Sequence, residues 1–174
     1  MKNREDHPVW TVYDKLRTAR LNVKYYSVRL HRLEQANLAI EYTLLATAPS
    51  SAIAGLWFWN TVIGKEIWQW LGLLAAIAAV AKPLLHLTTR IKDYEGVLTG
   101  YRTLEYDLME IETLVQQKGK YDHVLQSEFK KALQRERTLV ARTPETRENK
   151  KIKQTCEEEV RHELPSEKFF VPEE

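Results

Sequence analysis

Cysteine is nearly absent from this chain: Cys156 stands alone among 174 residues. One thiol cannot close an internal disulfide, and no CxxC or Cys/His cluster exists to hold a structural metal. It sits in the charged stretch KQTCEEEV and reads as a reduced, inert cytoplasmic thiol. Glycine and proline are scarce, six of each, which excludes a low-complexity chain. Neither sign of charge dominates, because 26 Lys and Arg against 24 Asp and Glu leave a formal charge of +2. That is not the concentrated basic block of a nucleic-acid binder, and no direct nucleic-acid binding is expected. There is no glycine-rich phosphate loop, and Ser50-Ser51 lacks the Gly-x-Ser-x-Gly turn of a nucleophile. His31, His86 and His123 have no repeated spacing that would suit a metal. Catalytic, metal-binding and cofactor-binding residues are therefore not expected, and the chain is not expected to be an enzyme. The first 37 residues are charge-rich and lack the short apolar core and cleavage site of a secretory signal.

The apolar residues are concentrated between Leu38 and Leu87, which the mean hydropathy of −0.45 conceals. Before them, Pro8 suits a first helical turn, and Val9 to about Thr47 contains neither Gly nor Pro. Val9, Val12, Leu16, Ala19, Val23, Tyr26, Leu30 and Leu33 recur at steps of three and four, one stripe of a helix. Asp14, Arg17, Lys24 and Arg32 lie on the opposite face. The first apolar segment runs from residue 38 to residue 63. It exceeds the roughly 20 residues that a span needs. It carries Glu41 near its start and a kink signal at Pro49, with Ser50, Ser51 and nearby alanines permitting close helix contact. Trp57 and Trp59 near its end fit an interfacial belt. Gly64, Lys65 and Glu66 make a turn, and the second segment occupies 67–87 with Trp68 and Trp70 at its start. The short turn makes the two segments antiparallel neighbours.

Orientation follows from the basic residues beside the segments. Lys15, Arg17, Arg20, Lys24, Arg29 and Arg32 precede the pair, Arg90 and Lys92 follow it, and the turn holds Lys65 alone. Both termini are expected to face the cytoplasm. Past the membrane, Leu84, Leu87, Ile91, Tyr94, Leu98 and Tyr101, then Leu104, Leu108, Ile111 and Val115, keep the three-four rhythm. This predicts a helix running to about Gln117, interrupted only at Pro83, with a break at Gly119. Another helix is predicted from Tyr121 to about Val140, with Leu125, Phe129, Leu133 and Val140 on one side. From Pro144 onwards charge dominates, and residues 143–174 read as a loose helix or disordered tail ending in FFVPEE. The expected fold class is an all-α membrane protein: a two-transmembrane helical hairpin with long flanking amphipathic cytoplasmic helices, 8–37 before it and 88–142 after.

The runs KYYSVRLHRLEQANLAIEY (24–42) and LGLLAAIAAVAKPLLHLTTRIKDYEGVLTGYRTLEYDL (71–108) resemble the SLATT family. These are two-transmembrane effector domains associated with nucleotide-sensing bacterial conflict systems. The resemblance rests on the Ala-rich second span ending at Lys82-Pro83 and on the Tyr94-Glu95 and Gly100-Tyr101 steps of the helix behind it. It covers about residues 8–142, with no fused sensor domain. It implies an oligomeric effector of the cell inner membrane, pore-forming or membrane-disrupting, in antiviral defence of the abortive-infection type. A separate nucleotide-sensing or signal-producing partner would then trigger it. The competing expectation is a membrane anchor that recruits a cytoplasmic partner; a small ion transporter is a third.

Several residues have more than one reading. Lys82 lies within the second apolar run, where an ionised group either snorkels to the surface or faces a partner or a water path. Glu41 occupies the matching depth of the first segment, so the two could neutralise each other as a pair that fixes geometry. In an oligomer they could instead line the inner mouth of a pore. Pro83 kinks or ends a helical unit, or acts as a hinge. Tyr94 and Tyr101, seven apart on the apolar stripe, read as helix packing.

Overall fold

A computed structural model describes residues 7–47, 61–145 and 147–172. The described residues are helical, with no β-strand among them. The helices are α1 (Val9–Thr47), α2 (Val62–Leu85), α3 (Leu87–Lys118), α4 (His123–Ala141) and α5 (Lys150–Glu163), followed by a 3-10 turn at Ser166–Lys168. The signals at Pro49, Ser50, Ser51, Trp57 and Trp59 lie outside the described residues. The chain divides into two compact units, residues 1–30 with 93–174, and residues 31–92.

The first unit is built on the stripes that the sequence predicts. Val9, Val12, Leu16, Ala19 and Tyr26 of α1 are buried, and so are Tyr94, Leu98, Tyr101, Leu104, Leu108, Ile111 and Val115 of α3. Truncating a buried leucine such as Leu16 or Leu108 typically costs about 2–5 kcal/mol, so these stripes dominate the stability of the unit. Helix α3 stops where expected. Gly119 takes the left-handed conformation (φ 65°), and its N–H donates to the Val115 carbonyl at 2.9 Å, the arrangement in which glycine avoids a Cβ penalty. Asp122 then caps α4 by accepting from the Leu125 N–H at 3.0 Å.

Two expectations for this unit are corrected. On α4 the buried residues are Leu125, Ala132 and Leu139, whereas Val140 is 59 % exposed. Continuing the three-four steps from Leu125 through Phe129 and Ala132 leads to Leu139, not Val140. Helix α4 approaches α3 at Gly100, where a Cβ would overlap the Leu139 side chain. The C-terminal region, expected as a loose helix or disordered tail, holds a well-packed helix. Asn149 caps α5 by accepting from the Ile152 N–H at 3.2 Å, and Ile152, Cys156 and Val160 form a buried stripe. Helix α5 lies along the face of α1 that was expected to be polar. Lys24 pairs with Glu159 and Glu163 at 2.7 and 2.8 Å, and Arg17 donates to the Leu164 carbonyl and the Ser166 hydroxyl. The chain end is anchored by Phe169, which stacks on Tyr13 at 4.3 Å with the Arg17 guanidinium 5.4 Å from its ring centre. The Tyr13 hydroxyl donates to the Phe170 carbonyl.

The second unit contains α2, capped by Thr61, whose hydroxyl accepts from the Gly64 N–H at 3.0 Å, so Gly64, Lys65 and Glu66 lie in its first turns and do not form the expected turn before residue 67. It is the one described helix long and apolar enough to cross a membrane, and 6 % of its most apolar 18 residues are buried. The helix does not continue unbroken past Pro83. Pro83 is inside α2, and the break comes at His86, a non-glycine residue in the left-handed conformation (φ 45°, ψ 38°). Pro83 has no N–H to give to its own turn, which weakens the helix end and lets the chain turn there. Holding His86 left-handed costs about 1 kcal/mol.

Candidate functional site

The densest polar constellation centres on Glu145, in the connection between α4 and α5. Its side chain is 5 % exposed. Tyr25 and Tyr94 both donate their hydroxyls to its carboxylate, and Arg29 Nε donates to Oε1 at 2.5 Å. Tyr25 and Arg29 stand four residues apart, one turn of α1, while Tyr94 comes from the first turns of α3. The Tyr25 hydroxyl also accepts from the Asn149 N–H at 2.9 Å, and Asn149 in turn caps α5. Four elements therefore meet on one carboxylate and one phenol.

Burial disfavours the ionised carboxylate of Glu145, but the hydrogen bonds from Tyr25, Tyr94 and Arg29, together with the Arg29 charge, outweigh it. They hold its pKa below the ordinary 4.5, so Glu145 is charged at neutral pH. Tyr25 is pushed up to about 12, first by burial and then by the carboxylate that it serves. Tyr101 also rises to about 12, mainly by burial, and stacks on Tyr26 at 5.5 Å. These tyrosines are neutral donors and packing groups, not bases. An ion pair this deep loses about 3–5 kcal/mol when one partner is removed, because the other is left buried and unpaired.

A second polar pair lies in the other unit. Lys82 Nζ is 3.2 Å from Glu41 Oε1, and Asn37 Nδ2 donates to the same oxygen at 3.1 Å. The two residues meet, the first of the two readings open for them. Both side chains remain partly exposed, 48 % for Glu41 and 39 % for Lys82. Asn37 Oδ1 is buried without a hydrogen-bond partner.

Tyr94 and Tyr101 were expected to serve packing. Tyr101 does so, whereas Tyr94 also reaches Glu145. Glu145, Tyr25 and Arg29 were not anticipated as a cluster. Glu145 lies 120 and 116 residues from its α1 partners and 51 from Tyr94, so no local spacing links them. His86, weighed as an interfacial side chain, proves to be the residue at which the backbone turns. No group of three or more His, Cys, Asp or Glu residues is placed to hold a metal among the described residues. No known protein family, characterised protein or solved structure matches the chain.

Proposed function

We propose that this chain is a membrane effector: a two-span helical hairpin on a cytoplasmic helical unit, which permeabilises the bilayer as an oligomer when a partner sensor is engaged. The observation that carries the reading is α2. Val62, Trp70, Ile77, Val80 and Leu84 are each more than half exposed, on several sides of one helix. An apolar surface of that kind is satisfied by lipid or by other apolar helices, not by water. The Glu41–Lys82 pair supports the hairpin, since it joins the end of α1 to α2 at equivalent depth in two apolar segments. The abortive-infection role, the inner-membrane location with both ends cytoplasmic, and the sensor partner follow the resemblance to SLATT effectors.

The test is dye release from liposomes containing the purified full-length chain, with and without its candidate activator. Activator-dependent release is expected. A well-inserted oligomer that never leaks while its sensor is active would overturn the effector reading. That outcome would favour the anchor, which recruits a partner without opening the membrane. The observation behind this second reading is the first unit, which carries its own buried core and could present a docking surface independently of the hairpin.

A further inference from the structure

We propose that Glu145 is a latch that holds α1 and α3 together at the end of the first unit, and that its release is the conformational step preceding membrane opening. The consequence for the membrane rests on the effector reading; the latch itself rests on geometry. Arg29 is the last residue but one of its segment in that unit, which closes at Leu30, and Tyr94 is the second residue of the segment that re-enters at Asp93. The carboxylate therefore ties the two helices where both leave the unit. It does so from outside them, since Glu145 is itself in neither helix nor strand.

Three features suit a latch better than a static brace. The tie is one charged group shared by three donors, so losing it releases Tyr25, Arg29 and Tyr94 together. The neighbouring Asn149 contact shares Tyr25, so it is weakened in the same event. Helix α1 runs from Val9 to Thr47 with no Gly or Pro to interrupt it, so Arg29 and Glu41 belong to one continuous helix. A buried polar cluster has two discrete conditions, satisfied or open, rather than a continuum, which is what a two-state element requires.

The experiment uses the full-length chain in lipid vesicles, in a Cys156→Ala background, with spin labels at Val28→Cys and Glu95→Cys. Both positions are exposed and lie outside the hub. The inter-label distance and dye leakage are read on the same samples. With Glu145 intact, one narrow distance distribution is expected. Glu145→Gln keeps the side-chain shape but removes the charge. A second, longer population is expected with it, together with at least a tenfold rise in leakage without activator. Tyr94→Phe keeps the ring and its packing and removes one donor, so a smaller longer-distance population is expected even where the Gln variant folds poorly. A longer population without leakage upholds the latch but overturns its place before membrane opening, whereas leakage absent even with the activator overturns the effector reading. Unchanged distances in a folded Glu145→Gln or Tyr94→Phe protein overturn the latch.

Discussion

Helices α2 and α3 are separated by a single residue, His86, and both contain many apolar side chains, yet they dispose of them in opposite ways. Helix α3 buries one stripe, Tyr94, Leu98, Tyr101, Leu104, Leu108, Ile111 and Val115, against its own unit and leaves only Tyr106 and Met109 exposed among its large apolar residues. Helix α2 is apolar nearly all round and leaves Val62, Ile63, Trp70, Leu73, Leu74, Ile77, Val80 and Leu84 exposed. A stripe can be satisfied by neighbouring helices of the same chain. An all-round apolar surface needs apolar neighbours on every side, from lipid or from other apolar helices. The arrangement of apolar residues around the helix therefore carries the distinction more than their number.

The strongest way to break this contrast is to place charge on α2. Leu74→Asp with Ile77→Asp is expected to cost about 3 kcal/mol per residue at the centre of a span. Fractionation should then find the protein in the soluble or aggregated fraction instead of the membrane. The control is Val124→Asp with Val140→Asp on α4, whose side chains are as exposed, 63 % and 59 %. These are expected to change stability by no more than about 0.5 kcal/mol and to leave membrane partitioning unaltered. Equal sensitivity at both pairs would mean that exposure on α2 does not signify lipid.

The next effect tests the opposite side of the comparison, the self-contained first unit. Phe169 is 3 % exposed and stacked on Tyr13, so Phe169→Ala is expected to destabilise that unit by about 3 kcal/mol. Chemical denaturation followed by near-ultraviolet circular dichroism of the tyrosines reports it, and membrane partitioning should not change. A loss below about 0.5 kcal/mol, the range of an ordinary surface substitution, would mean that the chain end is only loosely placed.

How much of this was legible beforehand depends on whether a feature is local. The stripe of α1, the stop at Gly119 and the stripe of α3 are periodic or single-residue signals, and the helices lie where those signals put them. Helix α5 also carries such a signal, since Ile152, Cys156 and Val160 repeat every four residues behind the Asn149 cap. The surrounding charge leaves a loose helix and a disordered tail both open for this stretch, when those charges in fact engage Arg20 and Lys24 on α1. The Glu145 hub has no local signal. A carboxylate in a connecting segment, a Tyr and Arg one helical turn apart and a Tyr on another helix become a cluster only after three helices have packed. His86 is intermediate: Pro83 marks the region, but the left-handed residue falls one turn later.

The smallest expected effect sharpens what joins α5 to α1. Lys24 reaches Glu163 at 2.8 Å, but Glu163 is 40 % exposed, so solvent screens much of the attraction. A double-mutant cycle with Lys24→Ala and Glu163→Ala is expected to give a coupling of about 0.5 kcal/mol at neutral pH. The Lys24 hydrogen bond holds Glu163 below its ordinary 4.5, against a burial effect that pushes it up and with Arg20 adding to the depression. A depressed carboxylate contributes stability above its unfolded pKa, and that contribution is lost as pH falls through its folded pKa. The coupling should therefore persist at pH 5 and vanish on acidification below 4.5. Coupling of about 2 kcal/mol or more would mean that the polar seam, not the Ile152–Cys156–Val160 stripe, fixes α5. The first unit would then be held by charge where it is now read as held by its core, and its contrast with α2 would narrow to apolar exposure alone.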